Sequence, residues 1–177
     1  VLTFIVLSCG CVNTRDQVAT FKVIETSETV LNKRYLDKCG SSAQEWIDAH
    51  DADEYTGYSV RDDGALILEL TEEQRKALQD SAAEMVESAR TDFEKEDPDF
   101  RVEVSEDFTS ADYYYYPTID KLTEAMSMSQ MILYGCAWQI YDGCGEDDWT
   151  FDINIYNCRN GRLVTSGGTE ADIHYSA

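Results

Sequence analysis

The segment from Ala125 to Tyr141 constrains the fold of this chain more than any other stretch. It contains no Asp, Glu, Lys or Arg, although 28% of the whole chain is charged. Pro117 suits the first turn of a helix, and Gly143 lies just past the expected end. Because apolar side chains cover most sides of this predicted helix, and helices of that kind are buried, the segment predicts a core helix.

The alternative interpretation of this segment is a membrane span. A span needs about 20 consecutive apolar residues, and this segment is shorter and is interrupted by Ser, Gln and Gly. We therefore expect the helix to lie inside a globular domain. Its predicted inward stripe comprises Ile119, Leu122, Met126, Leu133, Ala137 and Ile140.

The chain is strongly acidic. Its 177 residues include 35 Asp and Glu against 14 Lys and Arg, which gives a net charge of −21. Such a charge repels nucleic acids and anionic lipid headgroups, so we expect neither as a partner. It is compatible with cationic partners, with metal ions, or with solubility alone. The length suits a single domain.

Signals for further helices and strands lie on both sides of the core helix. Thr71 begins a capping box and a long amphipathic helix, which ends at or before Asp97 and whose inward stripe is Leu78, Ala82, Met85, Ala89 and Phe93. A second capping box spans Ser42–Glu45, and one or two helical turns are predicted within 27–39. Alternating apolar residues predict strands at 19–24, 58–61, 65–70, 100–105, 149–156, 162–166 and 171–175.

The faces of these strands predict the fold class. Asp63-Gly64 and Asn160-Gly161 each separate two predicted strands, which indicates two hairpins, the second with a type I′ turn. Strands that are apolar on one side only are typical of antiparallel sheets with one covered face. We therefore predict an α+β fold, a two-layer sandwich whose antiparallel sheet is covered on one face by two long helices, with residues 19–177 as a single domain.

The N-terminal residues resemble an export signal. Residues 1–7 are apolar, and Val6-Leu7-Ser8-Cys9 resembles the lipobox of bacterial lipoproteins, in which the cysteine is lipidated. On these four residues the chain resembles the small, uncharacterised bacterial lipoproteins. The resemblance implies a lipid on Cys9, or alternatively on Cys11, and an extracytoplasmic location at the cell surface or in the periplasm. Residues 1–11 would be the signal and lipobox and 12–18 a tether, whereas the competing interpretation is a buried N-terminal strand.

Four further cysteines follow, namely Cys39, Cys136, Cys144 and Cys158. In an oxidising compartment this even number predicts two disulfides. Zinc is the alternative, but C-x-x-C is absent and the chain has only 2 His. The lengths of the predicted helix and strand favour pairing Cys136 with Cys144, and Cys39 with Cys158.

Possible metal ligands are densest in the loop 48–54, but their spacing departs from that of an EF-hand. We interpret this loop as a solvated acidic segment and predict no metal, cofactor or catalytic residue. The alternative is a secreted hydrolase or metal-dependent enzyme that uses His50, Asp51 and Asp53. Neither His50 nor His174 accompanies a recognisable nucleophile motif.

Four consecutive tyrosines, 113–116, lead into the core helix. Successive residues of a strand point to opposite faces, so two of the four must face outward. We predict that Tyr114 and Tyr116 join Asp152, Asn154 and Tyr156 in a recognition surface for a protein or small-molecule ligand. Ordinary packing at a sheet edge is the alternative. The sequence thus favours an exported, lipid-anchored, non-catalytic binding protein.

Overall fold

The computed structural model describes residues 24–116, 121–171 and 173. Several predictions concern residues outside this set. These are the lipobox, the tether, most of the strand at 19–24, the start of the core helix at Pro117 with its neighbour Ile119, the side chain of Leu122, and most of the strand at 171–175.

The fold combines four helices and seven strands among the described residues, which confirms the α+β class. In chain order they are β1 (Ser27–Leu31), α1 (Lys33–Lys38), α2 (Ala43–Ala49), β2 (Gly57–Val60), β3 (Leu66–Leu70), α3 (Glu72–Glu94), β4 (Arg101–Val104), β5 (Ser110–Tyr115), α4 (Lys121–Asp142), β6 (Asp152–Asn157) and β7 (Leu163–Gly168). Both predicted capping boxes are present, at the start of α2 and at the start of α3.

The strands form two sheets rather than the one antiparallel sheet that was predicted. The first sheet is antiparallel with the order β1-β3-β2, and the second has the order β4-β5-β6-β7. In the second sheet β5 pairs with β6 in parallel, while its other pairs are antiparallel. The reason is connectivity, because α4 carries the chain from the end of β5 back to the beginning of β6, as a helical crossover does.

Two local predictions need correction. The helical turns predicted within 27–39 are present as α1, but residues 27–31 form strand β1, because they pair along the whole length of β3. The β6–β7 hairpin forms, but its turn is not type I′. That turn needs a positive φ at Asn160, whereas Gly161, with φ of 68°, has the only positive φ in the segment 157–162.

Helix α4 is the predicted core helix. No residue from Met131 to Tyr141 is exposed, and Met131 and Cys136 are fully buried. Its N-terminal part is more open than predicted, since Met126 is 55% exposed.

In α3 the inward stripe passes through Val86 rather than Met85, because the buried positions follow helical spacing from Ala82 to Phe93.

Two buried polar side chains in α4 hold the second sheet against the helices. The Gln139 amide nitrogen donates to the carbonyls of Phe108 and Thr150, both at 2.6 Å, and its oxygen accepts from the Thr150 N–H at 3.2 Å. The Ser127 hydroxyl lies 3.1 Å from the hydroxyl of Tyr113 on β5 and 3.3 Å from the carbonyl of Ala89 on α3. These bonds satisfy polar groups that burial would otherwise destabilise.

Among the residues the structure describes, no helix has both the length and the apolarity needed to cross a membrane.

We expect the substitution Gln139→Leu to lower the free energy of unfolding by about 2 kcal/mol, because it removes the partner of two carbonyls and one N–H that are partly buried. The matched control is Gln130→Leu, at an exposed position of the same helix, which we expect to change the free energy by less than about 0.5 kcal/mol. Urea unfolding measures both. Equal effects of the two substitutions would contradict the role assigned to Gln139.

Candidate functional site

The outward face of the second sheet contains the tyrosines predicted for recognition. Tyr113 and Tyr115 are 0% and 2% exposed and lie in the core, whereas Tyr114 and Tyr116 are half-buried on the other side. The alternation predicted for the four tyrosines is therefore present. We call the outward side of β4 to β7 the open face.

A stacked row crosses the open face from β4 to β6. The Tyr114 and Tyr156 rings are stacked, with centroids 5.0 Å apart and an angle of 17° between their planes. The Arg101 guanidinium lies 4.0 Å from the Tyr114 centroid. These contacts follow from the register, in which Tyr114 is opposite both Arg101 and Tyr156. Arg101 and Tyr156 both contact the Tyr114 ring. A ligand on this surface would therefore meet the ring edges and hydroxyls rather than a free ring face.

Tyr116 lies beyond the end of β5 in a second cation–π contact. The Arg159 guanidinium is 4.2 Å from its ring centroid, and the Tyr116 hydroxyl donates to Asp97 at 3.1 Å. The carboxylate of Asp97 accepts this hydrogen bond and thereby raises the pKa of Tyr116. The negative charge of Asp112 raises the pKa of Tyr156. Both phenols therefore stay protonated at neutral pH. The Tyr116 O–H is already donated to Asp97, whereas the Tyr156 hydroxyl can donate to a ligand.

A polar row runs beside the aromatic one. Asn154 donates to Asp112 at 2.9 Å across the parallel pair, and Glu103 lies opposite Asp112 on β4. Asp152 is exposed at the beginning of β6. The structure thus brings Tyr114, Asn154 and Tyr156 together, with Asp152 and Tyr116 at opposite ends of the same face.

Three arginines that the sequence interpretation missed lie at the aromatic end of this face, namely Arg101, Arg159 and Arg162. Arg101 could have been identified from the sequence, because it lies on the solvent-facing side of a predicted strand. Arg159 and Arg162 belong to the hairpin between β6 and β7, whose position beside Tyr116 depends on the parallel register and could not be derived from spacing. Neither Arg159 nor Arg162 forms an ion pair with any residue in the described part of the chain.

Exposed apolar side chains adjoin the arginines. Leu163 is 55% and Val164 is 42% exposed, and Leu163 lies opposite Tyr156 in the sheet. Leu163 therefore lies on the same side of the sheet as Tyr156, at the aromatic end of the open face.

The alternative interpretation placed an enzyme site at His50, Asp51 and Asp53. The Nδ1 atom of His50 lies 2.7 Å from the carbonyl of Trp46, and the His50 ring stacks on the Trp46 ring with centroids 3.6 Å apart. No group of three or more His, Cys, Asp or Glu side chains that could hold a metal ion occurs among the described residues. Asp51 and Asp53 are exposed in the loop after α2.

A groove of about 580 Å³ lies between the α1–α2 turn and the β2–β3 hairpin. Small and apolar residues such as Leu36, Ala43 and Val60 line much of it, and its Lys33 and Asp37 side chains pair with each other at 2.6 Å. None of the residues predicted for recognition or catalysis lines this groove.

The cysteines 39, 136, 144 and 158 are free thiols in the structure. Cys39, Cys136 and Cys144 lie near the C-terminal end of α4. Cys158 lies at the far end of the β5–β6 pair, where its N–H donates to the carbonyl of Tyr115. The predicted bond between Cys39 and Cys158 does not fit this fold, because about 20 Å of strand β6 separates the two ends and a disulfide needs Cα atoms within about 7 Å. Oxidation of the other thiols stays a prediction.

Comparison of the chain with protein-family models, with curated proteins and with solved structures found no match.

We expect Tyr114 and Tyr156 to be energetically coupled. A double-mutant cycle with Tyr114→Ala and Tyr156→Ala is expected to give about 1 kcal/mol of interaction free energy in urea unfolding, since the rings stack across adjacent strands. The control cycle combines Tyr114→Ala with Tyr58→Ala, because Tyr58 lies in the other sheet and its effect is expected to be additive. A zero coupling between positions 114 and 156 would show that the stack contributes nothing.

Proposed function

We propose that this protein is an exported, lipid-anchored, non-catalytic binding protein that holds a protein partner on its open face. The lipobox-like segment supports export and anchoring through Cys9. The composition of the open face supports the binding role, since Tyr and Arg are enriched at the energetic centres of protein interfaces.

One observation carries the choice of partner. The chain has 35 acidic residues, yet Arg159 and Arg162 form no ion pair within the described residues. Both are exposed, whereas Arg34, Arg61, Arg90 and Arg101 each pair with a carboxylate and the partly buried Arg75 donates to the carbonyl of Tyr141. We therefore propose a partner segment that places carboxylates against Arg159 and Arg162 and apolar side chains against Leu163 and Val164. The partner contributes carboxylates that pair with these two arginines.

The surroundings of the two arginines make this contact selective. The net charge of −21 repels acidic partners in general, so an acidic segment is favoured only where the arginines lie. Bidentate guanidinium–carboxylate pairing adds a geometric requirement, and the hydroxyl of Tyr156 adds a donor beside it. Selectivity of this kind combines a local attraction with a general repulsion.

The test of the binding surface uses three peptides, namely hexaglutamate, hexalysine and a neutral Gly-Ser hexamer. In heteronuclear NMR titrations of the full chain, we expect hexaglutamate to shift the signals of residues 156–163 and added salt to reverse the shift. The variant Arg159→Glu/Arg162→Glu is expected to weaken this binding about tenfold. The control is Lys76→Glu, a charge reversal on a side chain that is 68% exposed on α3.

Two outcomes would contradict the proposed surface. One is binding of hexaglutamate that Lys76→Glu weakens as much as the double variant does. The other is binding of hexalysine at residues 156–163, which would indicate a cationic partner. Circular dichroism of each variant separates a loss of binding from a loss of folding.

The test of anchoring uses cells that express the full-length gene. We expect mass spectrometry of the native protein to find a diacylated N-terminal Cys9, and Cys9→Ser to move the protein from the membrane to the soluble fraction. The matched control is Cys11→Ser, which we expect to stay with the membrane. An unprocessed N-terminus, or cleavage well downstream of Cys11, would exclude the anchor.

A further inference from the structure

Strand β2 is an edge strand of the first sheet in the described part of the chain. Three consecutive residues of this strand, Tyr58, Ser59 and Val60, are exposed, Tyr58 to 48% and Val60 to 51%. Globular proteins usually protect a sheet edge with a charge, a proline or a covering segment. An aromatic and an aliphatic side chain exposed at such an edge therefore indicate a place where a further strand can add.

The hydrogen bonds of the β2–β3 hairpin show which backbone groups face this edge. The Arg61 N–H donates to the carbonyl of Ala65 at 2.9 Å. Because every second residue of an antiparallel strand bonds to its neighbour, Ser59 also faces β3. The N–H and carbonyl groups of Tyr58 and Val60 therefore point away from β3, toward the open edge.

The groove of about 580 Å³ beside the hairpin lies on the core side of this edge. Val60 lines the groove together with Leu36 and Ala43. Val60 is opposite the fully buried Leu66, so its side chain points to the core side of the sheet. Side chains at alternate positions of a strand point to the same side. A strand added to β2 would therefore direct every second side chain toward the groove.

The outer side of the first sheet has two carboxylates beside the same edge. Glu28 and Glu69 are directly opposite each other in the β1–β3 pair, which is unfavourable for like charges. Neither forms an ion pair with a residue that the structure describes. Glu69 is also opposite Gly57 on β2, where an added Cβ atom would lie 3.1 Å from the Glu69 Oε2. The Glu69 carboxylate therefore leans over β2 and can be reached from the edge.

We propose that β2 receives an extended segment of a partner protein, which adds to the first sheet as a fourth, antiparallel strand. From its N-terminus to its C-terminus the segment has an apolar residue opposite Val60, any residue opposite Ser59, an apolar residue opposite Tyr58, and Lys or Arg opposite Gly57. Main-chain bonds hold the segment to Tyr58 and Val60, as in other cases of strand addition. Its apolar side chains lie on the groove side, and its basic side chain pairs with Glu69.

Charge favours a separate partner over a second copy of this chain. Residues 58–61 of a second copy have the same pattern, Tyr-Ser-Val-Arg. The Arg61 guanidinium, however, already donates to Asp63 at 2.6 Å and to Glu146 at 2.8 Å. Two chains that each have a net charge of −21 also repel each other, whereas a basic segment is attracted.

The test uses the full chain and three peptides with blocked termini, SGVTVKGS, SGVTVEGS and SGVTPKGS. In heteronuclear NMR titrations we expect SGVTVKGS to shift the signals of residues 57–61, and at saturation to slow amide exchange at Tyr58 and Val60 about tenfold. Replacing the peptide lysine by glutamate is expected to weaken binding about fivefold, because it removes the pairing with Glu69. The proline peptide lacks a bonded N–H and is expected to bind about tenfold more weakly.

Two pairs of variants locate the contact on the protein. Val60→Pro removes an outward N–H without breaking a bond to β3, and we expect it to weaken binding of SGVTVKGS about tenfold. Val60→Thr keeps the N–H and is its control. Glu69→Gln is expected to abolish the preference for the lysine peptide over the glutamate peptide, whereas Glu103→Gln, on the second sheet, keeps that preference. Circular dichroism checks folding, and the peptide series stays decisive if Val60→Pro fails to fold.

The proposal is overturned by equal binding of the three peptides, by shifts confined to the open face, or by no binding at millimolar peptide. Slow amide exchange at Tyr58 and Val60 without peptide also overturns it. In a dimer, detected by light scattering, a second copy would occupy the edge; in a monomer, the chain itself would, since its residues 19–22, Ala-Thr-Phe-Lys, share the pattern. The open face belongs to the other sheet, so these outcomes leave the acidic-segment proposal untouched.

Discussion

The buried amide of Gln139 is the contact on which the second sheet depends. Its nitrogen bonds the carbonyl of Phe108, which precedes β5, and the carbonyl of Thr150, which precedes β6. Both parallel strands therefore begin at the same level of α4, and the register between them follows. Phe108 reaches this position with a φ of 53°, a conformation that glycine usually occupies. Its ring stacks on Trp138 with centroids 4.7 Å apart, which explains why an aromatic residue is found there.

Much of the fold could be predicted from local signals. The capping boxes, the Asp-Gly hairpin and the uncharged segment in α4 each depend on neighbouring residues, and the structure confirms them. Strand β1 could not be predicted in this way, because its residues become a strand only through pairing with β3. The parallel pair was missed for a related reason, since alternation in β5 and β6 indicates a one-sided sheet without indicating the direction of pairing.

The candidate site was predictable only in part. Alternation correctly placed Tyr114, Asn154 and Tyr156 on the outward face, because a strand fixes which way each side chain points. It could not place Arg159 and Arg162, which belong to a turn whose location depends on the complete sheet. The five-residue connection 158–162 differs from the predicted two-residue turn, and at its start the Cys158 N–H donates to the carbonyl of Tyr115. That bond ties the turn to the end of β5, next to Tyr116 and its contact with Arg159.

The crossover through α4 also has a consequence for the order of folding. The hairpins β2–β3, β4–β5 and β6–β7 join residues that are close in sequence, whereas pairing of Ser110 with Asp152 closes a loop of about 40 residues. Contacts of such long separation form late. Until they form, the most apolar helix of the chain lacks the strand that covers part of its surface. During synthesis and refolding this is the stage at which the chain is most prone to aggregate. The stage ends when β6 pairs with β5 and the residue before it, Thr150, bonds to Gln139.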